Sequence, residues 1–260
     1  MNCSTFFEYT VTDKIGIITY DDAKGYNFFT WDLIDNLGEL QRKIASDKSL
    51  RAVIIQTGGN NFSAGIHFSD LSKLNSEIVM DNLPNNQKIY SFWQELPVPV
   101  IAAVKGLCFG VATELILGCD IRIAAENSEF AIQEVRFGLS PDHGGTTRLT
   151  KLVGAGQAKR MIMHCEQINA AEALRIGLVE VVVKPEEVNS YALKMAKNMC
   201  NFPPGGLRFA KRGINMACDS SIEAGLAFEQ AQATYCCGTE DQQEAIKAFI
   251  EKRTPVYNNR

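Results

Sequence analysis

Three short apolar runs constrain this chain more than any other feature. Arg51–Thr57 (RAVIIQT), Val100–Val104 (VIAAV) and Ile121–Ala125 (IRIAA) each read as a buried strand. Helical patterns separate them. Leu33, Leu37, Leu40 and Ile44 mark a helix over 31–45, and 83–96 reads as a second helix that Pro97 and Pro99 bring to an end. Strands alternating with helices specify an α/β architecture. Ahead of them, residues 6–20 alternate enough to predict a hairpin turning near Thr12–Lys14. Residues 67–82 are polar and aperiodic and are expected to form a mobile loop. Further on, helices are expected near 155–164, 170–176 and 188–200 around a short strand at Leu178–Val183, with Asn169 capping the middle helix. A composition break falls at Asn201-Phe-Pro-Pro-Gly-Gly, and nearly everything beyond it reads as helix. The expected division is therefore 1–200 as a core and 201–260 as a C-terminal helical region. The sequence carries no internal repeat and no low-complexity tract.

Two segments each pass a glycine between a strand signal and the next element. They are Phe62–Leu71 (FSAGIHFSDL, through Gly65) and Cys108–Asp120 (CFGVATELILGCD, through Gly110). A glycine lets the backbone turn tightly there, with N–H groups pointing outward. The N–H groups of Ile66 and Val111 can then converge on one oxygen, which is a strong way to hold developing negative charge. At Val111 the helix that follows adds its positive dipole end.

Bulk properties narrow the class. A chain of 260 residues with 46% hydrophobic content can bury a sizeable core. The net charge of −4, with both signs interspersed, argues against a nucleic-acid partner, whose footprint is usually a basic stripe. No apolar run approaches the length of a membrane span. The first ten residues, MNCSTFFEYT, have neither the look of a secretory signal nor that of a transit peptide, so a cytoplasmic location is expected. The eight cysteines form no CxxC pair and suit neither a zinc site nor a disulfide framework. Gly144–Gly145 lack a P-loop lysine and Rossmann spacing, and nothing in the chain points to a nicotinamide, flavin or metal site.

Taken in order, these segments resemble the crotonase superfamily, the enoyl-CoA hydratase/isomerase fold. The resemblance runs from Asn27 in KGYNFFTWDLIDNL, through RAVIIQTGGNNFSAG and PVPVIAAVKGLCFGVATELILGCDIRIAAENSEFAIQEVRFGLSPDHGGTTRLTKLVG, to INAAEALRIGLVEVVV and FIEKRTPVY. It implies a spiral of ββα units with a C-terminal helical trimerisation region. It also implies acyl-CoA thioester substrates, no separate cofactor, homotrimers or dimers of trimers, and an oxyanion hole made by the Ile66 and Val111 N–H groups. Ala64 and Gly110 beside those groups are expected to touch substrate.

The same resemblance places three carboxylates together, which sequence spacing alone does not. Glu114 and Glu134 match the glutamate pair of the hydratases, and Asp142 matches a position used by certain isomerases. Hydrating a 2-enoyl thioester needs water deprotonated at C3 and a proton delivered to C2. Two crowded carboxyls can divide those tasks, because crowding raises one pKa. Without the resemblance, Glu114 reads as a residue compensating a helix dipole, and Asp142 as a cap or turn residue.

The chain also departs from the pattern. His67 stands where the family usually has Asp, and is read either as structural or as a polar group near the acyl chain or CoA. Val111-Ala112 replaces a usual glycine pair, and Ile66 with Asp142 resembles the dienoyl-CoA isomerases, which carry Asp where this chain has Glu114. Phe249 and Lys252 lie in the segment that, in the family, reaches toward a neighbouring subunit's CoA. The leading expectation is an enoyl-CoA hydratase. The alternatives are a double-bond isomerase using Glu134 and Asp142, and a non-catalytic acyl-CoA-binding or RNA-binding relative.

Overall fold

Two sheets share the strands of one winding chain. The computed structural model describes residues 6–22 and 24–258. The N-terminal reading against a leader therefore falls partly outside the described residues, as does Cys3. The strands are β1 (Phe7–Thr12), β2 (Ile15–Tyr20), β3 (Ala52–Thr57), β4 (Val100–Val104), β5 (Leu107–Phe109), β6 (Ile121–Ala125), β7 (Glu129–Ala131), β8 (Ile168–Asn169) and β9 (Val181–Val183). The larger sheet has the order β1-β2-β3-β4-β6-β9, and the smaller β5-β7-β8. β1 and β2 are antiparallel, joined by Asp13 and Lys14 with φ of 52° and 66°, the left-handed pair that a tight hairpin turn needs. Every other pairing in the large sheet is parallel.

The chain visits the sheets in turn. After β3 it touches the small sheet through a bridge from Ser63 to Cys108, then returns to lay down β4, β5, β6 and β7 alternately. The helices that close these turns are α1 (Trp31–Ser46), α2 (Phe68–Leu71), α3 (Ser76–Glu95) and α4 (Val111–Leu117). The rest are α5 (Thr150–Met163), α6 (Ala170–Ile176), α7 (Val188–Cys200), α8 (Pro204–Ala217), α9 (Ile222–Cys236) and α10 (Glu240–Glu251).

A parallel sheet covered on both faces explains why the strand signals are unbroken apolar runs rather than alternating ones. On one face Ile54, Ile101, Ala103 and Ile123 pack against Val188, Ala192 and Ala196 of α7. On the other, Val53, Ile55, Ala102 and Val104 join the main core with Leu33 and Leu37 of α1, Tyr90 and Trp93 of α3, and Leu115 and Ile116 of α4.

Three expectations need correction. Residues 67–82 are not an irregular loop, because they contain α2 and the first turns of α3. The Asn75 side chain caps α3 by accepting from the Ile78 N–H at 3.0 Å, and the helix runs on past Pro84. The strand expected from Leu178 shrinks to 181–183. Leu178 and Val179 instead donate their N–H groups to the Ala173 carbonyl and close the end of α6, beside Gly177 at φ 80°. The helix expected at 155 begins at Thr150, with a break at Gly154, where φ is 80°. Asn169 caps α6 as expected, accepting from the Glu172 N–H at 2.9 Å.

After residue 200 the chain is helical through α10. Lys211 of α8 is buried and donates to the carbonyls of Trp93 (2.7 Å) and Val98 (3.0 Å) while pairing with Asp120 at 2.7 Å. That pin joins α8 to the end of α3. Ile214, Ile222, Leu226, Ile246 and Phe249 are exposed on this helical region. Among the described residues, no helix is long and apolar enough to cross a membrane.

Candidate active site

The spiral brings the two glycine turns side by side. The Ser63 N–H donates to Leu107 O at 2.8 Å, and the Phe109 N–H donates to Ser63 O at 3.0 Å. Gly65 (φ 93°) then turns against the backbone of Phe109, where an added Cβ would lie 3.1 Å from the carbonyl oxygen. Gly110 (φ 54°) ends β5 and starts α4. Both turns need a glycine, one for close approach and both for positive φ. Among the described residues, the N–H groups of Ile66 and Val111 bond to no acceptor. Both residues line one cavity of about 340 Å³. That of Val111 is a first-turn helical N–H, which has no partner within its own helix.

The carboxylates gather behind and beside these donors. Glu114 is fully buried in α4 and stands off the cavity wall, so it is not the exposed dipole-compensating residue that a helix start suggests. Its Oε1 accepts from the N–H groups of His143 (3.0 Å) and Gly145 (2.7 Å). Its Oε2 is buried without a partner. Gly145 has to be a glycine, since a Cβ there would meet Glu114 Oε1 at 2.8 Å and Pro141 at 2.7 Å.

Glu134 begins a 3-10 turn (Glu134–Phe137) and lines the cavity. Its Oε1 sits 2.8 Å from where a Cβ on Gly110 would be. Burial pushes its carboxyl up to about 7, and the charge of Glu114 adds to that. Burial also raises Glu114, while His143 and the two backbone donors pull it back. The pair therefore titrates as a coupled unit, with one carboxyl keeping its proton up to about pH 7.

Asp142 lines the cavity as well and serves as no helix cap. Its Oδ1 lies 2.7 Å from His143 Nδ1, a contact close in distance but without the alignment of a hydrogen bond. His143 was not anticipated from sequence. It is buried, lies 3.8 Å from Glu114 Oε2, and its ring centroid is 4.6 Å from that of Tyr90. Burial lowers its pKa, but Asp142 and Glu114 outweigh that and raise it overall, which favours an imidazolium among the carboxylates. The available signal was the Asp-His doublet before two glycines: a carboxylate and its counter-charge in a segment too tight to expose both.

Glu114, Asp142 and His143 bring ligand-type atoms within 4.8 Å of one another. Three such atoms can hold a cation by spacing. Here an imidazolium and two backbone donors already offset the carboxylate charge. His67 takes a different part. Its Nδ1 accepts from the Ser69 N–H (3.2 Å) at the start of α2, its ring meets Phe28 edge-on at 5.3 Å, and it is not on the cavity wall. Ala64 donates its N–H to Tyr26 O at 2.8 Å, which fixes the first glycine turn. Phe249 is 86% exposed, and neither it nor Lys252 reaches the cavity of its own chain.

A sheet-to-sheet spiral whose turns place two free N–H groups over buried carboxyls is the crotonase fold. A crystal structure of an enoyl-CoA hydratase from Bacillus anthracis superposes with a TM-score of 0.93 at 31% identity, over 98% of this chain and 99% of that one. The sequence profile of the enoyl-CoA hydratase/isomerase family matches residues 10–260, and the chain belongs to that family. A short-chain-enoyl-CoA hydratase from Clostridium acetobutylicum is 36% identical over 241 residues, covering 92% of each chain. A 2,3-dehydroadipyl-CoA hydratase from Escherichia coli is 33% identical, covering 95% of this chain and 96% of its own.

Proposed function

We propose that this protein is an enoyl-CoA hydratase that adds water reversibly across the double bond of a 2-enoyl-CoA. The observation that carries the reading is the unequal glutamate pair beside two unbonded backbone N–H groups. The thioester oxygen accepts from the Ile66 and Val111 N–H groups, which stabilise the enolate as charge moves onto it. Glu114 keeps Oε1 on its backbone donors and offers the unpartnered Oε2 to water, which it deprotonates for attack at C3. Glu134, held neutral by burial, supplies the proton to C2. No redox or metal step enters this scheme, and CoA acts only as the substrate's handle.

Loss of the crotonyl-CoA enone absorbance tests the reading. Glu114→Gln and Glu134→Gln should each lower kcat by several orders of magnitude, and the double variant little more than the worse single one, because the two act on one water. Multiplicative losses, or a near-normal single variant, exclude the shared-water scheme.

A second reading, double-bond isomerisation through Glu134 and Asp142, rests on the Asp142 carboxylate lying on the same cavity wall with His143 at 2.7 Å. Turnover of a 3,5-dienoyl-CoA without hydration of crotonyl-CoA would establish it in place of the first. We also propose a homotrimer or a pair of trimers, with residues 201–260 as the assembling region and Phe249 and Lys252 beside a neighbour's CoA. The exposed apolar side chains of α8 to α10 support that assembly.

A further inference from the structure

We propose that the acyl cavity contains a polar subsite at Asn86, which selects 2-enoyl thioesters bearing a neutral hydroxyl or carbonyl on the acyl chain beyond C3. This inference rests on the hydratase reading and names its substrate class.

The cavity is mainly apolar, with Trp31, Leu71, Leu74, Ile78 and Leu83 among its lining residues. Asn86 interrupts that wall. It is only 4% exposed, and among the described residues its side-chain amide makes no hydrogen bond. Two amides close to it on α3 are engaged. Asn82 donates to Ile78 O at 2.8 Å, and Gln87 donates to Asp142 O at 2.8 Å. Where α3 packs on α1, Gln41 donates to Ile89 O at 2.7 Å. An amide on a cavity wall with no partner in its own chain is matched by water or by what the cavity receives.

The helix fixes where that group stands. Ile78, Val79, Asn82, Leu83 and Asn86 recur at the three- and four-residue spacing of one helical face, and all line the cavity. Tyr90 is the next rung, with its ring on His143. Asn86 therefore lies one turn, about 6 Å along the axis, from the reacting end. That is beyond the atoms undergoing hydration and along the wall the acyl chain follows. An amide both donates and accepts, so it suits a hydroxyl in either sense and a carbonyl through its NH₂. Charge sets the remaining limit. Asp35 and Asp142 also line the cavity, so an anionic acyl terminus would meet like charge.

The test compares hex-2-enoyl-CoA thioesters carrying a hydroxyl at carbon 4 or 5 with isosteres carrying a methyl there, using the full-length protein and Asn86→Leu. The wild type should prefer the hydroxyl compound by about tenfold or more in kcat/KM at one of the two positions, because a site built to hydrogen-bond rejects an analogue that cannot. Asn86→Leu should invert the preference. A wild type indifferent to the exchange overturns the subsite. So does a variant that loses crotonyl-CoA and hydroxylated substrate by the same factor, which would assign the amide to the attacking water instead. Dissociation constants of the saturated hydroxy- and methyl-hexanoyl-CoA compounds give a readout independent of turnover. A hydroxyl preference in binding with no hydration of any substrate would retain the subsite and reject the hydratase reading. Equal binding of the two would reject the subsite alone.

Discussion

Replacing Glu134 by Gln should make the fold more stable at alkaline pH while removing activity. The Glu134 carboxyl has a pKa near 7 in the folded chain against an ordinary 4.5. The folded state therefore holds this proton more tightly than the unfolded chain does. The stabilisation that protonation brings is full below pH 4.5 and disappears as pH rises through 7. A difference of about 2.5 in pKa corresponds to at most about 3.4 kcal/mol. Solvent at this partly exposed side chain reduces that to about 2 kcal/mol. Glutamine cannot ionise and escapes the loss. Urea unfolding of both proteins at pH 5 and pH 8, at one protein concentration, isolates the effect. Any fixed penalty of the amide, such as an unpaired NH₂, cancels between the two pH values. The gap should move toward the variant by about 1.5 kcal/mol from the lower pH to the higher, since part of the loss already lies below pH 5. A gap that stays constant within about 0.5 kcal/mol, or moves toward the wild type, would mean that Glu134 is not held neutral by burial and that the acid role assigned to it is wrong.

Asp142→Asn should leave crotonyl-CoA hydration within about tenfold, roughly 1.4 kcal/mol of barrier, and a larger loss would move Asp142 into the reaction. His143→Gln removes a cation that lowers the pKa of both glutamates, so the acid limb of the kcat/KM profile should shift to higher pH. An unmoved profile with reduced stability would make His143 purely structural. The solution mass should be three or six chains by light scattering. In that assembly Lys252→Ala should raise KM more than it lowers kcat, whereas an active monomer removes the premise.

The strands were legible because a sheet covered on both faces needs uninterrupted apolar residues, and Val100–Val104 and Ile121–Ala125 supply them. Residues 67–82 were not legible as helix for the opposite reason. Their apolar side chains, Leu71, Leu74, Ile78 and Val79, line a cavity rather than a packed core, so the face is sparse and interrupted by asparagines. The three carboxylates were identified only through family resemblance. Spacings of twenty and eight residues say nothing of a meeting point set by two sheets and a winding chain. His143 went unseen because a lone histidine in a glycine-rich turn has no periodicity to read, and its meaning comes from Glu114, far away in sequence. His67 drew attention by departing from the family's habit, yet its ring is engaged in starting a short helix.

The oxyanion donors proposed at Ile66 and Val111 are peptide groups held by the paired backbone of Ser63, Leu107 and Phe109. Replacement at 66 or 111 by any residue but proline leaves both N–H groups in place, provided the two glycine turns survive. Over evolutionary time those positions are therefore free to vary for the shape of the acyl cavity, without touching the charge-stabilising device itself. Drift in substrate preference and loss of catalysis are thus separable, with the glycines at 65 and 110 carrying the backbone constraint. Recombinant libraries that vary residues 66 and 111 should accordingly yield altered chain preference far more often than dead protein.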